Sequence, residues 1–298
     1  MTRHITPAAA MFKGASGNAL TGEVYGEEGP PVLLLHGGGQ TRHAWHKTGD
    51  LIARLGRTAY AVDQRGHGDS EWVEDGAYNF ADFAADARVL ADTLAERSGV
   101  RPVAVGASLG GIAALLAEGG PQRPKTGGVF SALVLVDITP RVDLDGVAKV
   151  QGFMRAHAKE GFASIAEAAD AVAAYLPHRP RPRSHEGLKK NLRLHPDGRW
   201  RWHWDPRFLE GNRRIGAGSE EVERALVSAA KRVTIPALLV RGASSELVQE
   251  EHAKDFLKLV PHASYIDVSG ARHMVAGDRN DQFANAIEGF LSNLKNGY

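Results

Sequence analysis

The sequence predicts an α/β fold: a mostly parallel sheet flanked by helices, with a helical cap inserted between two of its strands. Three observations predict it. Apolar runs recur and each stops at a small or polar residue, as in PVLLLHGGG (31–39), AYAVDQRGHGDS (59–70), PVAVGASLGG (102–111), FSALVLVDITP (130–140) and IPALLVRGASSE (235–246). Strands buried on both faces by covering helices have this form. Helical spacing appears between the runs, and residues 141–230 interrupt the alternation altogether.

Residues 11–29 alternate weakly and end in GEEG, which predicts an edge hairpin. In FADFAADARVLADTLAE (80–96), Phe80, Phe83, Ala84, Ala87, Leu90 and Leu94 share a face, with Asn79 as cap. HASYIDVSG (262–270) predicts a last short strand and FANAIEGFLSNL (283–294) a closing helix. The insertion is helical within 142–175, where Val147, Val150 and Met154 share a stripe, although Gly146 and Gly152 weaken its first turns. It continues through the basic, proline-rich HRPRPRSHEGLKKNLRL and the aromatic RWRWHWDPR (199–207) to a helix around 219–231. The expected organisation is a core of residues 1–140 and 231–298 and a cap of residues 141–230.

Composition narrows the function. A chain of 298 residues, 43% hydrophobic and 24% charged, suits a globular core with an inserted subdomain. A net charge of +1 gives no electrostatic case for a nucleic-acid partner, so a small-molecule substrate is expected. No run approaches the ~18 apolar residues of a membrane span, and the start lacks a secretory signal's apolar stretch, so no membrane association and a cytoplasmic location are expected. With no cysteine there is no thiolate nucleophile and no disulfide.

Gly106-Ala107-Ser108-Leu109-Gly110-Gly111 ends an apolar run and opens the helical IAALLAE. A serine on a sharp strand-to-helix turn needs tiny neighbours two positions either side, because the backbones crowd there. Ser108 is the candidate nucleophile. His36-Gly37-Gly38-Gly39 ends an earlier strand at the same sheet edge, so the Gly38 and Leu109 N–H groups are the candidate oxyanion donors, with Gly39 as alternative to Gly38. Gly37 and Gly39 leave space for substrate. Of thirteen histidines, His273 in SGARHMVAG follows the last strand and is the candidate base. His36 and His67 suit structural roles, and Asp63 suits pinning the DQRGHGDS loop. His43, Tyr175, Trp200, Trp202 and Trp204 are candidate pocket residues; the alternating tryptophans share one face if strand-like. No His or carboxylate cluster has compact zinc-ligand spacing, so no metal and no cofactor is expected.

HGGGQTRHAW, DQRGHGDS, VGASLGG, RGASSELV and ARHMVAGDRND together resemble the marks of α/β-hydrolase fold enzymes, in particular members labelled esterase, epoxide-hydrolase-like or cofactor-free haloperoxidase-like. The resemblance implies an eight-stranded sheet with the cap inserted after the sixth strand. True epoxide hydrolases and haloalkane dehalogenases carry an aspartate nucleophile, whereas this chain has Ser108; an epoxide hydrolase's cap also offers two tyrosines, whereas this one has Tyr175 alone. In the loop after IPALLV many relatives carry an aspartate. Here the loop reads Ser-Ser-Glu, and Glu246 falls at the family's acid position. Glu246 is therefore the expected acid and Asp137, ending LVLVD, the alternative. The expected activity is hydrolysis of a carboxylic ester or lactone of a small, partly apolar substrate through an acyl-enzyme. The same groups also suit carbon–carbon hydrolysis of a ring-fission product, peracid formation, or a non-catalytic small-ligand receptor.

Overall fold

A computed structural model describes residues 5–124, 127–179, 184–212, 214, 216 and 218–294. Residues 180–183 of the proline-rich stretch lie outside the described residues.

The predicted runs form one eight-stranded sheet. An antiparallel hairpin, β1 (Ala8–Lys13) and β2 (Ala19–Tyr25), leads to β3 (Pro31–Leu35), β4 (Thr58–Val62), β5 (Val103–Ala107) and β6 (Ala132–Val136). Beyond the insertion come β9 (Ala237–Gly242) and β10 (Ser264–Val268). The spatial order is β1-β2-β4-β3-β5-β6-β9-β10; β2 runs antiparallel to β4, and every later pairing is parallel. Register aligns Leu35 with Gly106 and Val136 with Ala107, so β3, β5 and β6 end together. His36, Ser108 and Asp137 each follow one of those ends.

Every β3 residue is buried. Leu33 and Leu35 enter one core layer while Val32 and Leu34 enter the layer on the opposite face, as the two-residue period of a strand requires. The first layer is covered by α2 (Phe80–Ser98) and α3 (Leu109–Gly119), the second by α1 (His46–Arg54) and the closing α11 (Asn280–Asn293). Asn79 caps α2 as expected: its side chain accepts the Asp82 N–H at 3.0 Å, and Asp82 Oδ2 accepts the Asn79 N–H at 3.1 Å. No described helix is long and apolar enough to cross a membrane.

Between β6 and β9 the chain forms α4 (Leu144–Ala156), α5 (Ile165–Tyr175), α6 (Glu186–Lys189), a hairpin of β7 (Leu192–Leu194) and β8 (Trp200–Trp202), α7 (Arg207–Glu210) and α8 (Glu220–Ala230). The insertion is thus helical with one small antiparallel pair. Asp143 offsets the weak glycine turn of α4 by accepting the Gly146 N–H at 2.9 Å. The hairpin is stitched to the core: Gly68 N–H donates to His203 O at 2.7 Å and Asp205 N–H to Gly66 O at 2.8 Å. Tyr78 Oη adds a hydrogen bond to Asp205 Oδ2 at 2.7 Å. α8 instead leans on α3, so closely that a Cβ on Gly119 would lie 2.0 Å from Ala229 O. After β9 follow α9 (Glu250–Leu259), β10 and α10 (Val275–Asp278).

The elbow after β5 depends on its glycines. A Cβ on Gly110 would sit 2.2 Å from Leu35 O, and one on Gly106 would sit 2.4 Å from Gly110 O. Both obstacles are backbone, so neither can swing aside. Gly110→Ala is expected to lower stability by about 1–3 kcal/mol, as overpacking of a core does. Denaturant melts of the variant would measure that loss, and an unchanged midpoint would contradict the packing.

Candidate active site

Ser108 begins α3 with φ +46° and ψ −113°. Asp137, one residue past β6, has φ +50°; these two are the only non-glycine residues with positive φ among the described residues. Such backbone strain persists only where the surroundings over-determine it, and it gathers at functional sites. At Ser108 the Gly110 N–H donates to His36 O at 3.1 Å and the Ser108 N–H to Val136 O at 3.2 Å, which fixes the turn between two strand ends. At Asp137 the N–H donates to Val240 O at 2.7 Å.

The carboxylate against His273 is that of Asp137. His273 Nδ1 lies 2.7 Å from Asp137 Oδ2. Glu246, the residue expected from its place in the loop after β9, does not make this contact, and the alternative does. The physical reason is the neighbouring residue. Ser245 turns inward and its Oγ sits 2.5 Å from Asp137 Oδ2, so the loop delivers a hydroxyl to the site rather than the Glu246 carboxylate. Glu246 is half-buried with Oε2 unpartnered among the described residues, and its charge acts on Tyr175. Burial first, and Glu246 second, push the Tyr175 phenol up to about 12. Glu250 and Glu251 are exposed in the first turn of α9, as an acidic helix start suggests.

The HGGG loop is held from two sides. Gly37 N–H donates to Gln40 Oε1 and Gly39 N–H to His67 Nε2, each at 3.1 Å. Gly38 N–H, between them, has no partner among the described residues. The Leu109 N–H is the first of α3, a position that no intrahelical acceptor serves. His67 is fixed in turn by Nδ1, which donates to Arg65 O at 3.0 Å. Arg65 is anchored by a bidentate pair to Asp86, with both bonds 2.6 Å long. His36 Nδ1 donates to Gly37 O at 2.8 Å, while Nε2 accepts the Gln64 N–H at 3.0 Å. Both histidines therefore serve the scaffold, as expected. Asp63 pins its loop through the backbone N–H groups of Arg42 at 2.5 Å and Asp69 at 3.0 Å, and through the Arg42 guanidinium.

Ser108 and His273 open into one cavity of about 670 Å³ between the sheet edge and the insertion. No hydrogen bond joins Ser108 to His273 among the described residues; in enzymes without substrate this contact is often long and tightens on binding. Gly37, Gly38, Gly39, Leu109, His43, Tyr175, Trp202 and Trp204 line the cavity, and Trp200 does not. The strand-like stretch covers Trp200 and Trp202, but the backbone of Trp200 pairs with Phe162, whose N–H donates to Trp200 O at 2.7 Å. Trp202 packs edge-on to Phe162 with ring centroids 5.2 Å apart, and Tyr175 stacks on Phe153 at 4.1 Å. Much of the wall is apolar, supplied by α4 and α5 through Val147, Val150, Met154 and Val172.

Arg179 joins the site although sequence spacing did not mark it. It lines the cavity, and its Nε donates to Asp278 Oδ1 at 2.5 Å while Nη2 reaches Met274 O at 3.3 Å. Asp278 Oδ2 accepts the Arg272 N–H at 2.9 Å. The insertion thus grips the loop on both sides of His273. Among the described residues, no group of three His, Asp or Glu side chains is placed to hold a metal ion.

A model of the alpha/beta hydrolase family matches residues 32–286. An esterase of Mycobacterium tuberculosis is 31% identical over 274 residues, covering 90% of this chain and 84% of the esterase. A 2-(acetamidomethylene)succinate hydrolase of Mesorhizobium japonicum is 30% identical, covering 88% of each chain. The crystal structure of an E-2-(acetamidomethylene)succinate hydrolase aligns with a TM-score of 0.80 at 26% identity, over 96% of this chain and all 100% of that one.

Burial holds the His36 imidazolium down to about 4 and that of His67 down to about 3, both from 6.5. Below pH 6.5 the unfolded chain therefore binds protons that the native histidines refuse. Stability is full above 6.5 and falls as pH drops toward 4, by about 3 kcal/mol for His36 alone. Calorimetric melts across this range should show the decline, with a shallower slope in His36→Gln. Equal slopes in the two proteins would remove His36 as its source.

Proposed function

The chain belongs to the alpha/beta hydrolase family, and on that premise we propose that it hydrolyses a carboxylic ester or lactone of a partly apolar substrate through Ser108, His273 and Asp137. The observation that carries the reading is the 2.7 Å contact of His273 with Asp137 beside the cavity that Ser108 lines. With Nδ1–H held by a carboxylate, the imidazole keeps Nε2 as the free base. His273 takes the Ser108 proton as the hydroxyl attacks the carbonyl. Gly38 and Leu109 N–H groups hold the tetrahedral oxyanion, and His273 then protonates the leaving alcohol. Water, deprotonated by His273, releases the acid from Ser108 and restores the enzyme. A serine nucleophile favours the esterases of the family over its aspartate-nucleophile branch.

We assign residues 141–230 as the cap and residues 1–140 with 231–298 as the core. In this division α8, seated on α3, is the cap's return to the core. The cap supplies the apolar wall at α4 and α5, which favours an acyl or aromatic group over a polyanion. The Mesorhizobium relative hydrolyses, by its name, a succinate derivative, a dianion that a cationic side chain would favour. Arg179 is a cation on this cavity wall, and two of its nitrogens are already engaged by Asp278 and Met274.

Turnover of a panel of p-nitrophenyl esters, lactones and a ring-fission diketone tests the reaction class; activity on the diketone alone would overturn the ester reading. Ser108→Ala should abolish turnover and fluorophosphonate labelling, which also distinguishes an enzyme from a ligand receptor. Asp137→Asn should lower kcat by about 10³–10⁴-fold, whereas Glu246→Gln stays within about threefold of the parent. The reverse ranking would reinstate Glu246 as the acid.

A further inference from the structure

Ser245 Oγ lies 3.1 Å from the backbone nitrogens of both Leu247 and Val248, and both N–H groups donate to it. A hydroxyl has one proton and two lone pairs. With both lone pairs occupied, its proton has one direction left, toward Asp137 Oδ2 at 2.5 Å. That oxygen is also the one His273 Nδ1 faces at 2.7 Å. The other oxygen, Oδ1, accepts the Gly242 N–H at 2.9 Å. Ser245 is 4% exposed and Asp137 is fully buried, so water does not compete for these bonds.

A carboxylate turns readily about its last torsion, which is broad and two-fold. Something other than the torsion must aim Asp137 at His273. Gly242 and Ser245 grip one oxygen each from the end of β9 and the turn beyond it, and together they set the plane of the carboxylate. The Ser245 proton also draws negative charge from the oxygen that His273 uses.

We infer that Ser245 is a positioning residue of the active site, orienting the Asp137 carboxylate and sharing the charge it presents to His273. This rests on the reading of Asp137 as the acid. The loop after β9, where the family resemblance set the acid, serves the acid from the neighbouring strand. Without the hydroxyl, Oδ2 carries more charge and holds the imidazolium more tightly. The acid limb of the kcat/KM profile then moves to higher pH.

The experiment is the pH dependence of p-nitrophenyl ester hydrolysis by the wild-type protein, Ser245→Ala, Ser245→Thr and Asp137→Asn. Ser245→Ala should lose about tenfold in kcat with little change in KM and shift its acid limb upward by about half a pH unit. Ser245→Thr, which keeps the hydroxyl, should return the limb to its wild-type position. The position of the limb reports only the folded molecules, so partial unfolding does not imitate the shift. Should Ser245→Ala yield no folded protein, Ser245→Cys, a weaker donor of similar shape, should shift the limb in the same direction. An unmoved limb in the hydroxyl-free variant overturns the inference if Asp137→Asn is inactive. If Asp137→Asn is itself active, the triad reading beneath the inference falls instead.

Discussion

Asp137 is a fully buried carboxylate, and an ionised group cannot stay in such a place without donors around it. Its donors come from two other parts of the chain: Gly242 at the end of β9 with Ser245 in the turn after it, and His273 beyond β10. Satisfying this one charge brings the end of β6, the turn after β9 and the last loop to a single point. Removing any donor leaves a buried charge underpaired, which costs more than a lost surface contact. The strained φ of +50° at Asp137 fits this picture, because the carboxylate must leave a strand that would otherwise aim it elsewhere.

The remaining parts of the site hang on the same sheet edge. Parallel pairing ends β3, β5 and β6 in register, so the HGGG loop, the Ser108 turn and Asp137 emerge side by side. Two buried histidines and a bidentate Arg65–Asp86 pair then hold the loop so that, among the described residues, Gly38 presents an unengaged N–H and its flanking glycines do not. The insertion completes the enclosure and also grips the His273 loop through Arg179. Packing of the insertion and the placement of His273 are therefore coupled through one guanidinium, a link that spans 95 residues of sequence between Arg179 and Met274.

Much of this was legible in the residues. Apolar runs that stop at a small or polar residue marked the strands, because a buried parallel strand has no polar face to break the run. Ser108 was marked by Gly106 and Gly110, whose missing Cβ atoms the turn requires. The carboxylate beside His273 was less legible. Position along the chain favoured Glu246, but reach in space depends on which of two adjacent side chains turns inward, and Ser245 does. Spacing alone carries no sign of that choice; the donor needs of Asp137 do. The small β7–β8 pair escaped notice as a hairpin because three-residue strands are too short for alternation to stand out, although Trp200 and Trp202 hinted at it. Trp200 lies outside the pocket lining, half-buried against the same core layer that takes Trp202.

The most direct test of the account is the structure of the protein with a fluorophosphonate bound to Ser108. The account predicts the phosphoryl oxygen within about 3 Å of the Gly38 and Leu109 nitrogens, a hydrogen-bond distance, with His273 Nδ1 still on Asp137 and Ser245 on the same carboxylate oxygen. A phosphoryl oxygen turned away from both amides, or His273 swung onto Glu246, would contradict it.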